Sequence, residues 1–197
     1  MGESKNGITV KDCINIGVFA AIYIVVFFIT SFVGYIPVLM VILGILCSIT
    51  TGIPLMLFFS KSHTFGMITA FSVILGLFMV LLGRPWYSIL IALVTGLASD
   101  YIMQIGKYKS INKAVISSGV FSLWMIGMTL PMFFGDREAY FESIREGYGD
   151  AFVDVLYRLT PNWMFYVMTV LTFIGGILGG LLGRAVLKKH FMKAGMV

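Results

Sequence analysis

INIGVFAAIYIVVFFITSFV, residues 14–33, carries no charge. About 20 residues at ~1.5 Å each make a helix of about 30 Å, the thickness of a bilayer's hydrocarbon layer. Small residues gather in its first half, at Gly17, Ala20 and Ala21, and bulk fills the second, from Ile22 to Phe28. Gly17 and Ala21 stand four apart and share a helix face, with Ala20 beside them. A small-xxx-small patch lets another backbone come close. It serves either as a seam within the protein or as a docking face for a partner protein.

The rest of the chain repeats the theme. Of its 197 residues, 59% are hydrophobic and 12% charged, with a mean hydropathy of +0.97. Soluble domains carry about 25% charged residues. Six apolar runs predict an all-α polytopic membrane protein with six transmembrane helices, at about 14–33, 37–59, 65–82, 86–105, 114–134 and 162–187. They fill the chain as a single integral membrane domain and leave no room for a soluble one. The first run is too long for a cleavable signal.

The net charge of +5 is explained by placement rather than by nucleic acid. When the links are assigned to alternate sides, one side holds ten cations: Lys5, Lys11, Lys61, Lys107, Lys109, Lys113, Arg184, Lys188, Lys189 and Lys193. The other holds four, Arg84, Arg137, Arg145 and Arg158, with six acidic residues among them. The excess of Lys and Arg on inner links predicts a multi-pass protein of the plasma membrane with both termini in the cytoplasm and links 34–37, 84–87 and 135–160 outside.

Little in the chain suggests catalysis. His63 and His190 stand apart from each other and from any HExxH pattern, and no glycine-rich phosphate loop precedes a Lys-Ser or Lys-Thr pair. Cys13 and Cys47 fit no metal spacing and read as small apolar residues. No enzyme activity, metal or cofactor is expected. Asp100 is the one acid well inside a predicted span, and reads as a structural cap or ion pair, or as a group for ion coupling or partner signalling.

The outer side is richer. Arg84, Trp86 and Tyr87 lie in one link, Tyr157, Arg158, Asn162, Trp163 and Tyr166 at the start of the last helix, and Trp124 about two turns below the outer end of the fifth. Trp and Tyr at these depths make an interfacial belt. Together with the arginines they also supply aromatic walls and fixed cations for a small-molecule pocket. Residues 135–160 alternate apolar and charged positions at helical spacing, broken at Gly147 and Gly149. This predicts two short amphipathic helices, long enough together to act as a lid. Gly175, Gly176, Gly179, Gly180 and Gly183 form overlapping GxxxG seams for close helix packing.

These residues carry a resemblance. Six short spans, the small patch low on the first helix, the opening KDCINIGVFAAIYIVVFF and the long link before the last helix resemble the substrate-binding S component of an energy-coupling factor (ECF) transporter. The Trep_Strep (MptD-like) branch is the most similar. The resemblance implies an S-component-like bundle that does no chemistry. It would capture a vitamin-like or other small nutrient outside the cell and topple in the lipid bilayer while docked on a T component that two ATPase subunits drive. The family's alanine pair on the first helix maps onto Gly17 and Ala21, flanked by Ala20, with glycine replacing the first alanine. Its outer ligand pocket maps broadly onto Trp86, Tyr87, Trp124, Arg158, Asn162, Trp163 and Tyr166. The alternative is a self-contained secondary transporter or channel, which would need paired repeats or several ionisable residues within its spans.

Overall fold

The first helix, α1 (Val10–Ser31), begins four residues earlier than its apolar run. Thr9 is its N-cap: the Thr9 side chain accepts from the Asp12 backbone N–H at 3.3 Å, and the Asp12 carboxylate accepts from the Thr9 N–H at 2.9 Å. This reciprocal box satisfies donors that the first turn leaves open. The structure, a computed structural model, describes residues 7–188. Lys5, Lys189, His190 and Lys193 lie outside the described residues.

After α1 a 3-10 turn (Phe32–Tyr35) leads to α2 (Pro37–Val41), α3 (Leu43–Phe59), α4 (Met67–Leu81), α5 (Tyr87–Ile105) and α6 (Ile111–Ser122). Short 3-10 turns flank α7 (Ile126–Thr129). The helices α8 (Arg137–Tyr148), α9 (Asp150–Leu159) and α10 (Met164–Val186) complete the chain.

The six spans of an S-component-like bundle are corrected to four. Val10–Tyr35, Tyr87–Ile105, Ile111–Met132 and Met164–Val186, of 26, 19, 22 and 23 residues, are long and apolar enough to cross a membrane. The apolar helices α3 and α4 have only 17 and 15 residues, about 26 and 22 Å against a core of about 30 Å. Two breaks account for the shortening. Ile42 leaves the helical region (φ −97°, ψ 8°), separating α2 from α3. Gly66 takes a left-handed φ of +99°, which no helix interior accommodates, so α4 starts after it. The fold is an all-α multi-pass membrane bundle.

Glycine decides how closely the bundle closes. On α10, Gly175, Gly179 and Gly183 face α3, while Gly176 and Gly180 face α6. The two GxxxG rows therefore serve two different neighbours. Buried hydroxyls tie this seam and the neighbouring ones: Ser118 of α6 donates to the Gly176 carbonyl of α10 at 2.7 Å, Ser72 of α4 to that of Ala92 of α5 at 2.6 Å, and Ser99 of α5 and Ser117 of α6 exchange bonds at 3.1 and 2.9 Å. Lipid tails give helices no hydrophobic drive to associate, so such bonds and close contacts serve as the glue.

The links sort to two ends. At one, His63 Nε2 stands 3.7 Å from the Asp12 carboxylate and Arg184 donates to Asn112 at 3.1 Å. This end holds the links that carry Lys61, Lys107, Lys109 and Lys113. At the other end α8 and α9 lie across the bundle, with α9 against α2.

Candidate functional site

A cavity of about 400 Å³ opens at the α8–α9 end. Its inner wall is buried: Phe27 of α1, Cys47 of α3, Met79 of α4, Met125 and Met132 beside α7, and Met168 of α10. Its outer wall is Arg84 from the α4–α5 link, Tyr35, and Tyr140 and Tyr148 from α8. The ring of Tyr35 lies 5.4 Å from that of Tyr148, which stacks on Phe152 of α9 at 4.7 Å. The volume falls within the range of about 300–1,000 Å³ typical of small-molecule sites.

The α8–α9 hairpin is built to hold its shape over this cavity. Its corner is Gly149, at a φ of +81° that glycine alone takes without strain. Arg145 reaches Glu142 at 2.9 Å, Asp150 at 3.1 Å and Asp154 at 2.9 Å. Arg137 donates to the Tyr157 carbonyl at 2.9 Å and to Asn162 at 3.2 Å, and its guanidinium lies 4.3 Å from the Tyr157 ring centre. Below, Phe141, Phe152, Val153 and Leu156 pack with Met132, Phe133 and Met168 in a small core of their own. Both cations are thus committed to the hairpin, and among the described residues Arg84 is the charge that faces the cavity. Burial pushes the Tyr140 phenol above its ordinary pKa, opposed in part by the neighbouring Arg84. Tyr140 is therefore a neutral hydroxyl donor at neutral pH.

The nine candidate ligand residues fall in different places. Arg84 lines the cavity. Tyr87 sits near Tyr140 without lining it, and Trp86 packs edge-on to Tyr87 while 68% exposed. Trp124 is fully buried beneath the cavity. It donates its ring N–H to the Tyr23 hydroxyl at 3.1 Å and lies 5.6 Å from Phe27. Tyr157 and Asn162 hold Arg137. Arg158, Trp163 and Tyr166 are exposed on the outside of the bundle. Also lining the cavity, outside those nine, are Tyr35, the lid-helix residues Tyr140 and Tyr148, and six methionines. Met125, Met128 and Met132 recur at three- and four-residue spacing, a pattern that also marks an ordinary core face.

On α1, Gly17 and Ala21 are exposed and Ala20 is 2% exposed, turned into the core. A side chain added at Gly17 would meet nothing within 4 Å. Asp100 is fully buried, and one of its carboxylate oxygens accepts from the Gly66 N–H at 2.7 Å, the Thr69 N–H at 3.1 Å and the Thr69 hydroxyl at 3.0 Å. The other accepts from the Tyr108 hydroxyl at 2.7 Å. It thus caps the start of α4, where a carboxylate suits both the open N–H groups and the helix dipole. Burial and the Asp100 carboxylate together push the Tyr108 phenol well above its ordinary pKa.

Among the described residues no three His, Cys, Asp or Glu side chains gather as a metal site. Residues 10–193 match the family described as "Hypothetical bacterial integral membrane protein (Trep_Strep)". No curated protein and no solved structure matches the chain.

Proposed function

The chain belongs to the Trep_Strep family of bacterial integral membrane proteins, and we propose that it is the substrate-capturing subunit of an ECF-type importer. In this reading the cavity beneath α8 and α9 takes a vitamin-like or other small nutrient from outside the cell. The protein then docks on a T component, and two ATPase subunits supply the energy. Arg84, Tyr140 and Tyr148 hold the ligand's polar end. Trp86, Trp163 and Tyr166 sit in the interfacial belt.

The observation that carries the reading is a ligand-sized cavity at one end of a bundle whose first helix exposes small residues toward the other. Cys13, Gly17 and Ala21 follow one another at four-residue spacing on the outer face of α1, with Val18 and Val25 exposed beside them. A lane this shallow admits a partner helix at close range, where dispersion contacts are densest. Asp100, the buried acid nearest the middle of a span, has both oxygens occupied by fixed donors, which suits a cap better than a traffic of ions.

Gly17→Leu and Ala21→Leu test the docking face. Both positions are exposed, so the variants are expected to fold and melt as the wild type does. They are expected to lose the T component on copurification from native membranes. Ala20→Leu, which pushes into the core beside Tyr23, is expected instead to lower the melting temperature by overpacking, at about 1–3 kcal/mol. Partner recovery at wild-type yield from both surface variants would remove α1 from the interface.

A further inference from the structure

We infer that the ligand of this cavity is an amphipathic monoanion: an apolar, preferably aromatic body bearing one carboxylate or similar single acid group and no cationic group. The inference rests on the cavity being the ligand site, and adds the chemical class.

The first argument is charge. Among the described residues, Arg84 is the one ionised side chain that lines the cavity, and no Asp, Glu, Lys or His lines it. Arg84 forms no ion pair with any described carboxylate, whereas Arg145 reaches three. Its neighbour Tyr140 is a neutral hydroxyl. One acid group would complete this corner with charge-assisted bonds in the forked geometry that a guanidinium offers. An ammonium group would meet Arg84 with no counter-charge. A second acid group would lie against thioethers and phenyl rings without a partner, and an unpaired charge in such surroundings is strongly disfavoured.

The second argument is the wall. Met40, Met79, Met125, Met128, Met132 and Met168 all line the cavity. Thioethers are polarisable, adapt their rotamers and favour contact with aromatic ring edges. Six of them around Phe27 and Phe28 form a sleeve suited to a ring system and give few hydrogen bonds to a polar one. The third argument is the flank. Phe32, Tyr35 and Leu82, from the end of α1 and the end of α4, line the cavity and are 68%, 62% and 53% exposed. In a membrane protein this apolar rim adjoins lipid, so a body that partitions into the bilayer passes it without losing hydration.

The test uses four probes that share one ring system: 2-naphthylacetate, 2-(2-naphthyl)ethanol, 2-(2-naphthyl)ethylamine and 2,6-naphthalenedicarboxylate. Binding to the detergent-purified protein is measured by equilibrium dialysis against matched empty micelles. The monoacid is expected to bind saturably and at least about tenfold more tightly than the alcohol, the scale of one charge-assisted bond. The amine and the diacid are expected to bind more weakly than the alcohol. Arg84→Gln is expected to abolish the preference for the monoacid over the alcohol, lowering the monoacid's affinity far more than the alcohol's, and Arg84→Lys to keep part of the preference. Amine or diacid binding as tight as the monoacid, or an unchanged order in Arg84→Gln, would overturn the class and leave the cavity a binding site. No saturable binding of any probe would overturn the class and the cavity's role together.

Discussion

Replacing Gly52 by leucine is expected to leave no folded protein to purify. A Cβ at this position of α3 would lie 2.3 Å from the carbonyl carbon of Gly179, 2.4 Å from its Cα and 2.5 Å from its oxygen. These are backbone atoms of α10, so no rotamer change relieves the clash. Nor can the helices separate locally. Gly175 rests against Ile45 and Gly183 against Met56 on the same seam, one turn either way. Opening it loses the close contact that holds helices together in lipid, beyond the overpacking penalty of about 1–3 kcal/mol. Gly179→Leu, aimed at the Ser48 carbonyl, is expected to behave alike. Gel filtration in detergent gives the readout: the wild type elutes as one monodisperse peak and the variants do not. A Gly52→Leu protein with wild-type yield and melting temperature would mean that α3 and α10 do not touch there.

The second large effect is expected at Asp100. Asp100→Ala removes the acceptor for two backbone N–H groups and the hydroxyls of Thr69 and Tyr108, in a fully buried site. Each buried donor left without a partner costs about 1–3 kcal/mol, so a loss of at least about 3 kcal/mol is expected. Asp100→Asn keeps an oxygen for the Gly66 and Thr69 donors and is expected to stay within about 1 kcal/mol of wild type. Thermal melts of the two purified variants give the comparison. The opposite pattern, with Asp100→Ala stable and Asp100→Asn inactive in transport, would point to ion coupling and away from a cap.

The sequence announces the membrane and the seams but not the interruptions. Alternating glycines at 175–183 are legible because close packing in lipid demands small residues at helical spacing. The break at Ile42 has no local marker, since isoleucine neither stops a helix nor favours a turn. It arises where α2 must lie on α9 while α3 runs between α1 and α10. Gly66 did carry a marker, but within an apolar run a glycine reads as a packing residue as readily as a stop. The start of α1 is half legible: Asp12 reads as a carboxylate suited to the cap or first turn of a helix, and the fold makes it the partner of Thr9 in a T-x-x-D box.

The site divides in the same way. Arg84 stands out in sequence because a lone cation in a short aromatic link has few structural uses. Tyr140 and Tyr148 look like the apolar stripe of an amphipathic helix, which they are; only the fold shows that the stripe faces a cavity. Methionine gives the least warning of all, since the thioethers that line the cavity and those that fill a core follow one spacing. Exposed Trp163 and Tyr166 illustrate the converse: an aromatic residue near a membrane surface serves a belt as well as a pocket.

The most direct measurement places the purified protein alone in lipid vesicles, with the small molecule that copurifies with it and an imposed proton or sodium gradient. The expected result is saturable binding with no accumulation inside, and accumulation only when the T component, both ATPases and ATP are added. Concentrative uptake by the protein alone, driven by the gradient, would contradict the account.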